Sequence, residues 1–331
     1  MTNQIKKKIA ITVGDMAGIG PEVVLKSALT GEVVDSCVPV IICDAATFRF
    51  TADRLGLPCD IPVLSDENEI LEASGPVIVD LANIEKPLEF GVERADCGKA
   101  AGQFIEKAVD LWQKGLVDAI STAPLSKKSL ALGGYAYPGH TEMLASLTKT
   151  ERFAMSFFAG DLRVVLMSTH LPLKEAVDKI TKKSLGDLIR FTSKEVSRLI
   201  GRPAKVAVSG VNPHASENGM FGSEEAREMT PAIEECQAEG IDVTGPHSAD
   251  TVFLRGFRGE FDAVIACYHD QATIAVKCLS FGAAVNVTLG LPLIRTSVDH
   301  GTAFDIAGKG IAEAESMKTA ILLATKLAGG R

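Results

Sequence analysis

The amino-terminal stretch from Ile9 to Leu25 reads IAITVGDMAGIGPEVVL. Its apolar run Ile9–Val13 has the length and composition of a buried strand. A glycine-rich corner from Gly14 to Gly20 follows, and Pro21 suits the first turn of a helix because its ring presets the helical φ and its missing N–H is not needed there. We therefore expect a strand that is connected to a helix by a glycine-rich turn, called the glycine corner below.

The glycines of this corner resemble a dinucleotide-binding fingerprint only superficially. Gly14, Gly18 and Gly20 are spaced GxxxGxG, whereas the fingerprint requires GxGxxG. Pro21 also alters the entry into the helix. We therefore predict that the fold is not the Rossmann dinucleotide-binding fold.

Short apolar runs recur along the chain, bounded by Gly, Asp, Pro or His and separated by stretches with a helical period. From Ala101 to Trp112, apolar residues repeat every three or four positions, and Gly115 provides a stop. This alternation predicts an α/β fold. After Ile9–Val13, the predicted strands are Val38–Cys43, Val77–Val79, Val117–Ile120, Val164–Met167, Val206–Val208, Val264–Cys267 and Val285–Val287.

Composition restricts the class of protein and of partner. The chain has 331 residues, more than most single cores contain, so we expect two domains with a cleft between them. A net charge of −8 argues against nucleic acid and anionic membranes as partners. The seven cysteines form no CxxC pair and lie mostly in apolar surroundings, which indicates reduced thiols and a cytoplasmic protein. Lys6 to Lys8 precede too short an apolar run for an export signal or a membrane span.

Three histidines directly follow predicted strands: His170, His214 and His269. Ligands of open parallel sheets bind outside the carboxyl ends of the strands, so these side chains can converge. Imidazole suits divalent Zn, Co, Ni, Mn or Fe, and three protein ligands leave positions open for substrate. The alternative is that each histidine is a hydrogen-bonded corner residue.

A second group of residues offers positive charge and hydrogen-bond donors. His140 and Thr141 open an apolar-periodic segment, so we expect them at a helix N-terminus, where an anion is favoured. Lys277, Asn286 and Arg295 lie near the last predicted strand. Together they predict a phosphate site, although Lys277 and Arg295 could also be solvated surface charges.

Acidic side chains and one lysine near the same corners are candidates for proton transfer. Asp250, Asp270 and Asp15 could transfer a proton or orient a ligating histidine. Lys127 follows another predicted strand and is a further candidate. A helix N-cap for Asp250 and a plain surface position for Lys127 are the alternatives.

With these residues in place, the chain resembles the 4-hydroxythreonine-4-phosphate dehydrogenase family of vitamin B6 biosynthesis over nearly its whole length. The motifs that carry the resemblance are Gly14–Glu22, Gly139–Glu142, Ser168–Leu173, Val211–Ala215, Ala249–Thr251, Tyr268–Gln271 and Gly290–Ala303. Met16 stands where proline is usual and Ala272 where glycine is common. Ser121–Lys127 and Tyr137–His140 look closer to the second branch of the family, which resembles dehydrogenases of 4-phospho-D-threonate and 4-phospho-D-erythronate.

The resemblance implies a site and its ligands. A divalent metal (Zn, or Mg, Mn, Co or Ni) would be held by His170, His214 and His269 and shared across a homodimer interface. The substrate would be held by His140, Thr141, Lys277, Asn286 and Arg295, and NAD or NADP would accept a hydride. The catalytic candidates remain Asp250, Lys127 and Asp270.

The segment Asp299–Gly310 is similar to the cofactor loop of isopropylmalate and isocitrate dehydrogenases. This similarity implies two α/β/α domains of their kind. Residues 1–125 and 283–331 would form the cofactor domain, and residues 126–282 would carry the metal ligands and the dimer interface. The implied cofactor-binding residues are Asp299, His300, Gly301, Ala303 and Asp305.

The expected reaction is NAD(P)-linked oxidative decarboxylation of 4-phospho-D-threonate or 4-phospho-D-erythronate to dihydroxyacetone phosphate. The alternatives are a 4-phosphohydroxy-L-threonine dehydrogenase of pyridoxal phosphate biosynthesis and a dehydrogenase of a non-phosphorylated cis-diol. A non-catalytic metabolite-binding protein and an acyl transferase acting on phosphate are the rivals from other classes.

Overall fold

The chain divides into two compact units in a computed structural model that describes residues 6–280 and 284–330. The first unit is Met1–Glu151 with Leu291–Gly329, and the second is Arg152–Gly290 with Gly330–Arg331. The expected domain crossing at residues 125 and 126 lies inside the first unit. The expected crossing at residues 282 and 283 lies outside the described residues.

The first unit is built on a parallel sheet. Its strands, numbered along the whole chain, are β1 (Lys7–Thr12), β2 (Cys37–Cys43), β3 (Val77–Asp80), β4 (Ala119–Thr122) and β11 (Ile294–Ser297). They lie in the order β3-β2-β1-β4-β11, and every pair is parallel. β2 is buried at all of its residues, as expected of a strand covered by helices on both faces. The helices of the first unit are α1 (Gly20–Ala28), α2 (Gly31–Ser36), α3 (Ala45–Leu55), α4 (Ala95–Gln113), α5 (Lys127–Leu132), α6 (His140–Leu147) and α12 (Glu315–Ala328).

The glycine corner between β1 and α1 is shaped by close backbone approach. Gly14 has φ +70°, and a Cβ atom there would lie 2.0 Å from the carbonyl oxygen of Pro124. Four backbone N–H groups of the corner bond to protein oxygens: Asp15 to Pro124 O, Ala17 to Asp15 Oδ1, Gly18 to Asp15 O and Ile19 to Thr302 O. These amides are therefore not available to a pyrophosphate, in agreement with the prediction that this corner is not a dinucleotide-binding fingerprint.

The second unit contains a mixed sheet. Its strands are β5 (Ala154–Ala159), β6 (Leu162–Leu166), β7 (Val206–Ser209), β8 (Val243–His247), β9 (Ala263–Ala266) and β10 (Val285–Leu289). The order is β10-β5-β6-β9-β7-β8; β5 is antiparallel to both of its neighbours, and the pairs from β6 to β8 are parallel. The helices are α7 (Leu173–Asp178), α8 (Lys182–Ile200), α9 (Thr230–Ala238), α10 (Ala249–Phe257) and α11 (His269–Ser280).

The predicted α/β class is confirmed, and the eight predicted strands are all present within one or two residues of their expected bounds. Pro21 lies in the first turn of α1, as expected. The strands β5, β8 and β11 were not predicted. Where the chain is described, no helix is long and apolar enough to cross a membrane, and the cysteines are free thiols.

Candidate active site

Four neighbouring parallel strands of the second unit end at one edge of its sheet. In spatial order they are β6, β9, β7 and β8. His170 follows β6, His269 opens α11 directly after β9, and His214 follows β7. Asp250 lies in the first turn of α10, after β8. The three predicted histidines and one predicted acid thus follow adjacent strands at the edge where ligands of such sheets bind.

His170 and His269 lie side by side. Their ring centroids are 5.8 Å apart and the rings are tilted by 39°. Nδ1 of His269 is 2.7 Å from Oδ1 of Asp270. Because an ionised carboxylate only accepts, Nδ1 carries the proton and the lone pair of Nε2 is left for another partner. A carboxylate behind a histidine is the usual arrangement for a histidine that binds a metal, so this pair fits a divalent ion.

His214 has different surroundings. It lies in a tight turn with φ 52° and ψ 31°, and its ring packs against Phe221 at 6.3 Å between centroids. Within residues 6–280 and 284–330, no group of three or more His, Cys, Asp or Glu side chains is placed to hold a metal ion. The structure therefore brings together two of the three predicted ligands, and the three-histidine site stays a prediction.

Two candidate acids border an apolar groove between α10 and α11. Asp250 and Asp270 both line it, together with Tyr268 and Gln271. The N-cap alternative for Asp250 is wrong, because Ser248 precedes α10 and Asp250 is the second residue of the helix. Asp250 is exposed and able to exchange a proton with solvent or a ligand. The contact of Asp270 with His269 favours an orienting role.

The first unit contains a buried cation beside a neutral imidazole. Arg295 on β11 is 3% exposed, and its Nη2 donates to Thr122 Oγ1 at 2.9 Å. Burial lowers the pKa of Arg295 to about 10, although the Glu142 carboxylate opposes the shift. Burial, and then the charge of Arg295, hold the pKa of His140 well below its ordinary value. The surface-charge alternative for Arg295 is therefore wrong.

His140 also carries an unused polar atom. It is the first residue of α6, after the N-cap Gly139, and Thr141 is the second, as predicted. Its buried Nε2 has no hydrogen-bond partner within the described part of the chain. Since such an atom is costly to bury alone, a ligand oxygen fits this position. The first backbone N–H groups of a helix have no partner within the helix and favour an anion, and His140 and Thr141 are at this position in α6.

Lys127 is the first residue of α5 and is exposed. A Cβ atom built on Gly139 would lie 3.5 Å from Lys127 Cε, so the lysine stem passes the start of α6. It is therefore close to the His140 end of that helix. The structure leaves both a proton-transfer role and an anion-binding role available to Lys127.

Lys277 and Asn286 lie in the second unit. Lys277 is exposed in the last turns of α11. Asn286 lies on β10 opposite Phe157 of β5, and its buried Oδ1 has no hydrogen-bond partner in the described residues. Asn286 is thus another polar side chain that a ligand could satisfy.

The predicted cofactor residues form an irregular loop of the first unit. Asp299 Oδ1 accepts from Ser316 Oγ at 3.4 Å, and His300 Nδ1 lies 3.1 Å from Gly301 O. Ala303 has a positive φ of 41°. Gly301 and Asp305 are exposed and available for a ligand.

A buried ion pair that the sequence did not reveal as functional anchors this loop. Glu22 of α1 is 1% exposed, accepts from Ala312 N at 2.8 Å and pairs with Lys26 at 2.7 Å. Lys26 also donates to the carbonyl oxygens of Gly310 and Ala312 at 2.9 Å. The i,i+4 spacing of Glu22 and Lys26 in an otherwise apolar helix was the available signal.

Replacing His140 by asparagine is expected to change how stability depends on pH. Because the pKa of His140 is lowered in the folded chain, the unfolded chain binds a proton more readily below pH 6.5. The wild-type protein should then lose up to about 1.4 kcal/mol of stability per pH unit, relative to His140→Asn, as the pH falls from 6.5 to 5. Urea unfolding of both proteins at pH 7, 6 and 5 measures this. Parallel pH curves would show that His140 is not held neutral.

The family model described as pyridoxal phosphate biosynthetic protein PdxA matches residues 35–324. The D-threonate 4-phosphate dehydrogenase of Cupriavidus necator is 44% identical over 325 residues, covering 98% of both chains. That of Salmonella typhimurium is 42% identical over 324 residues, covering 97% of this chain and 99% of its own.

A solved structure agrees with these sequences. The crystal structure of 4-hydroxythreonine-4-phosphate dehydrogenase from Klebsiella pneumoniae superimposes with a TM-score of 0.89 at 41% identity, covering 97% of this chain and 99% of that one. The matched length and these identities show that the chain belongs to the pyridoxal phosphate biosynthetic protein PdxA family.

Proposed function

We propose that this protein is a metal-assisted, NAD(P)-linked dehydrogenase that oxidises D-threonate 4-phosphate, or its D-erythronate isomer, and releases CO2 and dihydroxyacetone phosphate. The observation that carries the proposal is the buried Arg295 beside the neutral His140. The names of the relatives at 42–44% identity support the same substrate.

The anion site accounts for the substrate class. A phosphate or carboxylate would form a charge-assisted hydrogen bond with the buried guanidinium, which is stronger than a bond between neutral groups. His140 Nε2 and the first N–H groups of α6 lie in the same part of the unit and complete a set of groups for a phosphate or carboxylate. A phosphate held there would anchor a flexible four-carbon acid and convert remote binding energy into orientation of the reacting carbon.

The strand-end histidines account for the chemistry. His170, His269 and, in the proposal, His214 would hold a divalent metal, with Asp270 orienting His269 through Nδ1. When bound, such a metal acts as a Lewis acid toward substrate oxygens, and a nicotinamide accepts a hydride. Asp299, His300, Gly301, Ala303 and Asp305 would bind the nicotinamide cofactor.

The reaction balances without further reactants. The secondary alcohol at C3 loses a hydride and a proton, which leaves a β-keto acid; loss of the C1 carboxylate as CO2 then leaves an enolate that takes up one proton. Exposed Asp250 and Lys127 are the groups able to move these protons. We further propose that the enzyme works as a homodimer in the cytoplasm, with its active site at the subunit interface.

A second substrate is favoured by one observation. The structural relative with a TM-score of 0.89 is named for 4-hydroxythreonine-4-phosphate, which carries an amino group where D-threonate 4-phosphate carries a hydroxyl. The same anion site fits both compounds.

The test is NADH and NADPH formation with D-threonate 4-phosphate, D-erythronate 4-phosphate and 4-phosphohydroxy-L-threonine in parallel, each with added divalent metal and with chelator. We expect chelator-sensitive turnover that is highest with D-threonate 4-phosphate. Absence of turnover with all three, in protein shown to contain metal, would contradict the proposed substrate class.

A further inference from the structure

We propose that Glu225 is a positioning residue that fixes the backbone of the turn carrying His214; this inference rests on the proposed metal site. Glu225 is 2% exposed and has no part in the reaction described above. It belongs to the short π-helical segment Glu225–Met229, ahead of α9.

The carboxylate of Glu225 accepts three hydrogen bonds from the residues just before His214. Oε1 accepts from the backbone N–H groups of Val211 at 2.9 Å and Asn212 at 2.7 Å. Oε2 accepts from Asn212 Nδ2 at 2.8 Å. One buried carboxylate therefore fixes both the backbone and the side chain of the strand-to-turn junction.

The turn that follows would not hold its shape unaided. Five consecutive residues other than glycine, His214 to Asn218, have φ between 44° and 65°. The left-handed region is unfavourable for side chains with a Cβ atom and persists only where the surroundings fix it. Gly222 leaves room for the junction, since a Cβ atom there would lie 2.5 Å from Asn212 Nδ2. The Glu225 contacts are thus placed where this strained turn begins.

The same junction is connected to the helix that carries His269. Gln271 Nε2 donates to Gly210 O at 2.9 Å, and Gln271 Oε1 accepts from Cys267 N at 2.7 Å. Cys267 Sγ donates to Ser209 O at 3.2 Å, which links the end of β9 to the end of β7. Glu225 and Gln271 therefore secure the ends of β7 and β9, the strands that lead to two of the proposed ligands.

The consequence for function is preorganisation. If the backbone turn that carries a histidine ligand is fixed in advance, the turn does not have to be ordered when the metal binds. The affinity of the site for the metal is then higher. Replacing groups that orient metal ligands typically lowers metal affinity by about 10–100-fold. Glu225 should have an effect of this size without contacting the metal.

The experiment compares Co²⁺ binding by the purified full-length wild-type protein and Glu225→Gln, using competition with a chelator and the visible absorption of bound Co²⁺. The glutamine amide removes the charge and sets one N–H group against Asn212 Nδ2. We expect the Co²⁺ affinity to fall about 10–100-fold and the absorption to change in position or intensity. Glu234→Gln, at an exposed position of α9, is the matched control and should bind Co²⁺ like the wild type.

The remaining variants separate this inference from the proposed function. If His214→Ala weakens Co²⁺ binding and Glu225→Gln, although folded, binds like the wild type with an unchanged spectrum, the positioning role is overturned and the metal site stands. If His214→Ala leaves Co²⁺ binding unchanged, the metal site itself is wrong. Should Glu225→Gln fail to fold, Asn212→Leu takes its place, because it removes the side-chain hydrogen bond to Glu225 Oε2: weakened Co²⁺ binding supports the inference, and wild-type binding overturns it.

Discussion

Replacing His269 by alanine is expected to lower kcat for D-threonate 4-phosphate by at least about 10³-fold, which corresponds to about 4 kcal/mol of transition-state stabilisation. The ring centroids of His269 and His170 are 5.8 Å apart, and Nδ1 of His269 is hydrogen-bonded to Asp270. Its loss would remove one of the proposed metal ligands and, in the proposed mechanism, the Lewis acid that activates the alcohol. NADH formation and the metal content of the purified variant measure the two effects together.

Two further variants make this prediction specific. Asp270→Asn keeps the shape of the side chain but not its charge, and should lower metal affinity by about 10–100-fold. His247→Ala is the matched control, because the His247 ring bonds to Thr244 and packs on Phe261 instead; it should keep its metal and its kcat. If His269→Ala contained no metal and kept full activity, the metal would not be required for the reaction.

Replacing Arg295 by methionine is expected to raise KM for D-threonate 4-phosphate by about 30–150-fold, with a smaller fall in kcat. The magnitude corresponds to about 2–3 kcal/mol for a hydrogen bond to a charged group. Methionine retains most of the volume of the stem, so the buried site beside Thr122 and His140 stays filled. Initial rates over a range of substrate concentrations separate the two constants.

The control for this variant is Arg258→Met, which removes an exposed arginine at the end of α10 and should leave both constants unchanged. Inhibition by inorganic phosphate gives a second readout, since Arg295→Met should weaken it in proportion to KM. An unchanged KM together with unchanged phosphate inhibition would show that Arg295 does not hold the substrate anion.

Patterns that repeat along the chain made the fold predictable. Buried parallel strands are short continuous apolar runs, so β1, β2 and β9 could be recognised from sequence. Of the three unpredicted strands, β5 reads AMSFFA, an apolar run that was not recognised. β8 contains Gly245 and Pro246, and β11 reads IRTS. The strand conformation of β8 and β11 comes from pairing with neighbours rather than from an apolar run of their own.

The positions of the candidate site residues were predictable where rare residue types follow strands. Histidines at strand ends are conspicuous, and adjacent parallel strands do bring His170 and His269 together. Asp270 was predicted as an acid that could orient a histidine, but two other buried acids were missed. Glu22 and Glu225 look like any helical glutamate, and only the fold shows that each is buried against backbone N–H groups distant from its own helix or turn.

The proposed reaction is tested most directly by counting its products. The measurement uses D-threonate 4-phosphate labelled with ¹³C at its carboxyl carbon, together with NAD and a divalent metal, and follows NADH, labelled CO2 and dihydroxyacetone phosphate. The three products are expected to form in equal amounts, and chelator is expected to stop the formation of all of them together. NADH without labelled CO2, or turnover that chelator leaves unchanged, would contradict metal-assisted oxidative decarboxylation.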